Sequence, residues 1–255
     1  ITLMVEGRNL VQGSEEGREK TVQYVKDTVT MVKELDGYEV SIVPGEVGKV
    51  NPDSTPEQEW QWAVEGLREI FDHAQKEGIK LAVEPINRFE TYFISRAAQA
   101  QALADAVSPE IGVCLDTFHL NIEEEDPYEA IRQAGDRLVD LHVADNNRMA
   151  CGMGSYDWKR IVEILKEIGY DGALTVEFVA PIDRTPANPY PNAIETDPVD
   201  ITPEQKKALV GALGDRGRFT AMIGDGVNDV PALKQARLAV AMGSGSQITK
   251  GVADI

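Results

Sequence analysis

The chain has 255 residues, of which 42% are hydrophobic and 27% charged, and a net charge of −18. Its length suits two small domains or one α/β barrel, which runs to about 250 residues. The acidic balance argues against a nucleic-acid partner, which needs a basic footprint, and no apolar run of about 18 residues is there to span a membrane.

Two cysteines, Cys114 and Cys151, make no disulfide framework. No basic stretch leads into an apolar run as in a signal peptide, so a reducing cytoplasm is the expected compartment. In chain order, short apolar strand candidates alternate with amphipathic helices. Strand 1–5 precedes helix 16–35, strand 39–44 precedes helix 56–77, and strand 80–85 precedes helix 96–107. Strand 111–116 then precedes helix 127–134, strand 138–143 precedes helix 158–168, and strand 173–178 follows. Each strand is bounded by Gly, Pro or Asp, as buried parallel strands are. Residues 181–203 hold six of the thirteen prolines and little periodicity, which marks a long loop or linker. Helix 203–213, strand 219–224, helix 230–235, strand 238–242 and a last short helix complete the pattern. Helices 56–77 and 203–213 both open on Thr-Pro-Glu-Gln, an N-cap threonine with proline at the first helical position. Eight strands alternating with helices predict a closed (β/α)8 barrel or a doubly wound sheet.

Parallel α/β folds place their chemistry at the carboxyl ends of strands. Four chemistry-bearing residues fall there on consecutive strand candidates: Glu84, Asp116, His142 and Glu177. A strand-end aspartate can instead cap the next helix, and a single histidine can be a hydrogen-bonded core residue. Three carboxylates and an imidazole at four successive strand ends point to one divalent-metal site. Oxygen ligands with one imidazole suit Mn²⁺ first, with Mg²⁺ or Co²⁺ as alternatives, rather than a structural zinc. Of the other histidines, His73 reads as a plain helix residue, and His119 stands where it could merely cap a turn.

Local sequence carries a resemblance. The runs Val83-Glu84-Pro85-Ile86-Asn87-Arg88-Phe89-Glu90, Cys114-Leu115-Asp116-Thr117-Phe118-His119-Leu120-Asn121 and His142-Val143-Ala144-Asp145-Asn146-Asn147-Arg148 resemble the xylose-isomerase-like sugar isomerases and epimerases, the D-tagatose 3-epimerase group above all. Gly152 to Trp158, Ile168 to Gly172 and Val176-Glu177-Phe178 continue it, over about residues 1–200. The resemblance implies metal ligands at Glu84, Asp116, His142 and Glu177, and substrate contacts from His119 and Arg148. It implies epimerisation at C3 of a ketose, or a related aldose–ketose isomerisation, through a metal-bound enediolate, with Glu84 and Glu177 moving the proton on opposite faces. The partner implied is a small sugar, with no nucleic acid and no membrane; an oligomer is compatible.

The family barrel carries its first metal glutamate on the fifth strand, whereas Glu84 lies on the third strand candidate, so residues 1–5 correspond to family strand three. The C-terminal part is different. Residues 202–206, 221–234 and 238–245 resemble cation-transporting P-type ATPases, whose phosphorylation domain is haloacid-dehalogenase-like. There Lys206, Asp225 and Asp229 match phosphoryl and Mg²⁺ positions, but the phosphorylated Asp-Lys-Thr-Gly-Thr motif is absent, which leaves them vestigial and a phosphatase or ATPase without its nucleophile. Two joined families suggest a chimera, natural or engineered: a truncated epimerase barrel at 1–200 and a βαβα fragment at 202–255. The expected architecture is a hybrid (β/α)8 barrel in which six epimerase strands are completed by two haloacid-dehalogenase-like strands. The alternative to an active epimerase is a chimeric fold that binds metal without turnover.

Overall fold

The computed structural model describes residues 2, 4–179, 207, 210–212, 214–215, 221–224, 230–241 and 251. It divides into two compact units, Ile1–Phe178 and Val179–Ile255.

The first unit opens with α1 (Glu15–Glu34), started by Ser14, whose hydroxyl accepts from Gly17 N at 3.1 Å. Five parallel strands follow, β1 (Glu39–Ile42), β2 (Lys80–Val83), β3 (Gly112–Asp116), β4 (Leu138–Val143) and β5 (Ala173–Val176), hydrogen-bonded side by side in chain order. The helices α2 (Pro56–Glu77), α3 (Ala97–Asp105), α5 (Pro127–Ala134) and α6 (Trp158–Glu167) are the crossovers that parallel strands require. A further short helix, α4 (Thr117–Glu123), grows directly from the end of β3. This is a TIM-barrel-like arrangement, a parallel half-barrel of five strands.

Local chemistry sets the boundaries. Thr55 caps α2 through its hydroxyl, Pro56 supplies a helical φ without an orphan N–H, and Gly78 ends the helix at φ 70°, in the left-handed region. Gly112 opens β3 where β4 passes close by: a Cβ there would meet Arg137 O at 2.6 Å. Strands β1 to β4 are buried over most of their length, β3 throughout, while β5 is more open. Ile42, Leu81, Leu115 and Leu141 pack against Leu67, Ile70, Leu103 and Ile131 of the helices, and each such side chain contributes about 1.5–3 kcal/mol through burial.

Two sequence expectations change here. Residues 1–5 do not form a ladder strand among the described residues: Thr2 makes one isolated parallel bridge to Ile42, with Thr2 N donating to Ser41 O at 2.8 Å. Instead of a turn, the segment after Asp116 is helix α4, which begins without a spacer because Asp116 is itself the N-cap, its Oδ1 accepting from Phe118 N at 2.9 Å.

In the second unit, β6 (Ala221–Gly224) and β7 (Leu238–Ala241) pair in parallel around α7 (Val230–Leu233), where Ala232 and Leu233 are buried. The expected closure of one barrel pairs residues 1–5 with 238–242, and it rests in part on residues 1, 3 and 242, which lie outside the described residues. No helix among the described residues is long and apolar enough to cross a membrane.

Candidate metal centre

Four strand ends converge on one place. Asp116 is the last residue of β3 and faces His142 in the β3–β4 register. Glu84 and Glu177 each lie one step beyond their strands, and their N–H groups donate to Ile42 O (2.9 Å) and Val143 O (3.1 Å), continuing the ladders. Each of the four residues offers one ligand atom, and these atoms lie within 4.8 Å of one another. His142 Nδ1 is 2.7 Å from Glu177 Oε2 and 3.1 Å from Glu84 Oε1.

The cluster is buried and short of partners. Glu84, Asp116 and His142 are nearly inaccessible to solvent, while Glu177 is partly open. Glu84 Oε2 has no hydrogen-bond partner, and His142 Nδ1 and Glu177 Oε2 have only their 2.7 Å contact with each other, without hydrogen-bond geometry; a buried polar atom left so costs roughly 1–3 kcal/mol. Burial pushes the Asp116 carboxyl up to about 7 against the pull of Arg148, with Glu177 and Glu84 adding to the rise. Three carboxylates and an imidazole with orphaned atoms turned toward each other fit a divalent cation, which would satisfy those atoms together.

Arg148 reaches the cluster from the loop after β4. It stands at φ 63°, in the left-handed region, and its guanidinium pairs with Asp116 Oδ2 and, at 2.9 Å, with Glu177 Oε1. The ring of Phe118 lies beneath it, 4.8 Å from Cζ. His119, on α4, has Nε2 3.4 Å from Asp116 Oδ2. Burial, then the charge of Arg148, pushes its imidazole down to about 4, so it is neutral at neutral pH.

Residues 2–196 match the family described as "Xylose isomerase-like TIM barrel". The chain belongs to this family. Among relatives in the family, a D-psicose 3-epimerase of Enterocloster bolteae is 40% identical over 116 residues, 45% of this chain and 38% of that protein. The solved structure of a D-psicose 3-epimerase with D-tagatose, from Clostridium cellulolyticum H10, superposes with a TM-score of 0.68 at 27% identity, covering 76% of this chain and 69% of that one. The chain spans about two fifths of the length of the curated relatives it matches first. Residues 207–255 match a second family, "haloacid dehalogenase-like hydrolase". "Probable cation-transporting ATPase F" of Mycobacterium bovis is 51% identical over 72 residues, 27% of this chain and 8% of that protein. One chain thus carries stretches similar to two different families.

The structure brings together all six residues singled out at the epimerase-like end: Glu84, Asp116, His142, Glu177, His119 and Arg148. Lys206, Asp225 and Asp229 lie outside the described residues. Sequence reasoning passed over three side chains that organise the site. Asp140, two residues before His142 and so on the same face of β4, has Oδ2 3.3 Å from His142 Nε2 and accepts from Thr175 Oγ1 at 2.6 Å. Asn87 contacts His119. Asp145, fully buried, accepts from Asn146 N, Gly152 N, Tyr156 N and Trp158 Nε1 and so shapes the loop that carries Arg148. The alternating pattern of β4 was enough to find Asp140; Asn87 and Asp145 stand inside the runs that carry the resemblance, but nothing local gave either a role.

Proposed function

We propose that this chain is a divalent-metal-dependent epimerase acting at C3 of a ketose, with the same proton-shuttle chemistry open to aldose–ketose isomerisation. The observation that carries the reading is the convergence of Glu84 and Glu177 on His142 Nδ1, with the second oxygen of Glu84 left without a partner. Glu84, Asp116, His142 and Glu177 would hold the cation, Mn²⁺ being the first candidate. When bound, it supplies Lewis-acid polarisation of the sugar oxygens.

The chain's own residues do the rest. Inversion at one carbon needs a base on one face and an acid on the other. Glu84 and Glu177 arrive from β2 and β5, on opposite sides of β3 and β4 in the sheet order, and serve as that pair: one takes the C3 proton and the other returns one to the opposite face. Negative charge grows on the sugar oxygens as the enediolate forms. The Arg148 guanidinium, held over Phe118, stabilises that charge, and His119 hydrogen-bonds a sugar oxygen. Burial of the cluster strengthens each of these interactions by excluding water. The similarity to D-psicose 3-epimerases supports the substrate class.

The test is incubation with D-psicose or D-tagatose and Mn²⁺ in deuterated water. Epimer formation with deuterium at C3 is expected, falling by roughly 10²–10⁴-fold in Glu177→Gln, the range for loss of a general acid or base. Mn²⁺ binding without exchange at C3 would instead establish a metal-binding fold without turnover. The proposal also includes completion of one barrel by residues 202–255. A chain cut after Phe178 would then lose Mn²⁺ affinity, whereas an independent first unit would keep it.

A further inference from the structure

Asn87 is buried in the loop after β2, and His119 is buried on α4, 32 residues later. Phe89 N donates to Asn87 Oδ1 at 2.9 Å, which fixes the oxygen end of the amide. The nitrogen end, Nδ2, donates to Glu90 Oε1 at 2.6 Å and stands 2.8 Å from His119 Nδ1. The backbone N–H of Asn87 donates to the same Nδ1, at 3.3 Å. A backbone N–H can only donate, and so can the amide nitrogen. Two donors on one ring nitrogen require a lone pair there. The ring proton therefore sits on Nε2, the nitrogen turned toward the carboxylate cluster, 3.4 Å from Asp116 Oδ2.

We propose that Asn87 is a positioning residue that holds His119 in its Nε2–H tautomer, so that the ring presents a proton rather than a lone pair to a sugar oxygen at the cluster. This rests on the ketose reading above. It has two chemical consequences. A nitrogen that carries a proton does not ligate a cation, so His119 stays out of the ligand set although it touches Asp116. The ring also takes no proton from C3, which leaves that task to Glu84 and Glu177. Because one amide holds both His119 and Glu90, displacing it frees both side chains at once.

The tautomer is measured directly. The chain has three histidines, so histidine-selective ¹⁵N labelling of the Mg²⁺-loaded protein gives a small, assignable set of ring signals, with His119→Gln identifying one pair. His73, whose Nε2 meets Thr30 Oγ1 at 2.9 Å between α2 and α1, serves as the internal control for folding. The expected spectrum of the parent has His119 Nε2 protonated and Nδ1 bare. Asn87→Asp puts an acceptor beside Nδ1, and the proton is expected to move there while the His73 signals and Mg²⁺ affinity hold. kcat/KM for D-psicose should fall roughly tenfold to a hundredfold, the effect of one lost buried hydrogen bond. Asn87→Ser, which deletes the amide and keeps the backbone donor, should give a mixture of tautomers; it also serves where the aspartate variant fails to fold. A parent ring protonated on Nδ1, or an Asn87→Asp ring unchanged from the parent, overturns the proposal. A parent with the Nε2–H ring and no turnover removes the ketose reading and leaves the positioning intact; turnover with an Nδ1–H ring does the reverse.

Discussion

Asp140 stands behind His142: the two share one face of β4, and Asp140 Oδ2 lies 3.3 Å from His142 Nε2 while Nδ1 faces Glu84 and Glu177. A carboxylate on the far nitrogen fixes the tautomer of a ligating histidine and raises its basicity. Asp140→Asn should therefore weaken Mn²⁺ binding by roughly 10–100-fold, the usual range for such outer partners. Titration calorimetry on the metal-free protein reads this directly. Unchanged affinity would show that Asp140 acts on its other neighbours, Thr175, which donates to it at 2.6 Å, and Glu39, rather than on the ligating ring.

Arg148 and a bound cation act on the same charges. Its guanidinium pairs with the inaccessible Asp116 and with the partly open Glu177. Removing one partner of a buried pair leaves an uncompensated charge and costs about 3 kcal/mol or more. Arg148→Ala should lower the Tm of the metal-free protein, and saturating Mn²⁺ should restore more stability to the variant than to the parent. Thermal unfolding of both proteins with and without Mn²⁺ checks the difference. Equal metal-induced shifts would mean that the guanidinium and the cation do not neutralise the same carboxylates.

Glu39, the first residue of β1, carries a pH dependence of opposite sense to an ordinary carboxylate. Burial, then the charge of neighbouring Asp140, pushes its carboxyl up to about 8, and its Oε2 has no partner. The folded chain thus keeps Glu39 protonated where the unfolded chain ionises it, above about 4.5. The unfolded state binds fewer protons in that window, so stability is full below about 4.5 and declines as the pH rises toward 8. Glu39→Gln is neutral at every pH. Its Tm should fall less steeply across the window and exceed the parent's at pH 8. Parallel Tm curves for the two proteins would assign the slope to another group.

These cases show what a sequence can and cannot disclose. Helix α2 was legible to the residue because Thr55, Pro56 and Gly78 each impose a backbone choice at its ends, and β4 was legible because an apolar run is bounded on both sides. The four strand-end residues could be found because strand ends are where polar side chains break an apolar pattern. Helix α4 was hidden: Asp116 ends a strand and caps a helix at once, so no loop signals the change of period. Residues 1–5 have the composition of a strand, but a ladder needs successive partners in register, and among the described residues Thr2 and Val5 each make one isolated bridge, to Ile42 and to Arg8. Asn87 and Asp145 escaped because their importance lies in what they meet. The partner of Asn87 is 32 residues away, and Asp145 collects donors spread over thirteen residues.

Asp145 offers the most stringent test of how the Arg148 loop is held. Its carboxylate accepts three backbone N–H groups and the Trp158 indole, at 2.8–3.1 Å, and its backbone O accepts from Arg148 N at 2.9 Å. Burial alone would raise its pKa, yet the hydrogen bonds from Trp158 and the backbone hold it below the ordinary aspartate value. The stability it contributes is therefore present at neutral pH and lost only as the medium becomes acid enough to protonate it. Asp145→Asn keeps one acceptor oxygen and turns an NH₂ group toward donors. A loss of about 2–3 kcal/mol is expected, the scale of hydrogen bonds to a charged group. The damage should be local: hydrogen exchange should accelerate at Gly152 and Tyr156 while the amides of α2 keep their protection. Arg148, whose left-handed backbone is sustained by this loop, should then lose its place on Asp116 and Glu177, lowering kcat/KM without abolishing Mn²⁺ binding. Uniform acceleration of exchange throughout the first unit would mean that Asp145 supports the whole fold rather than this loop.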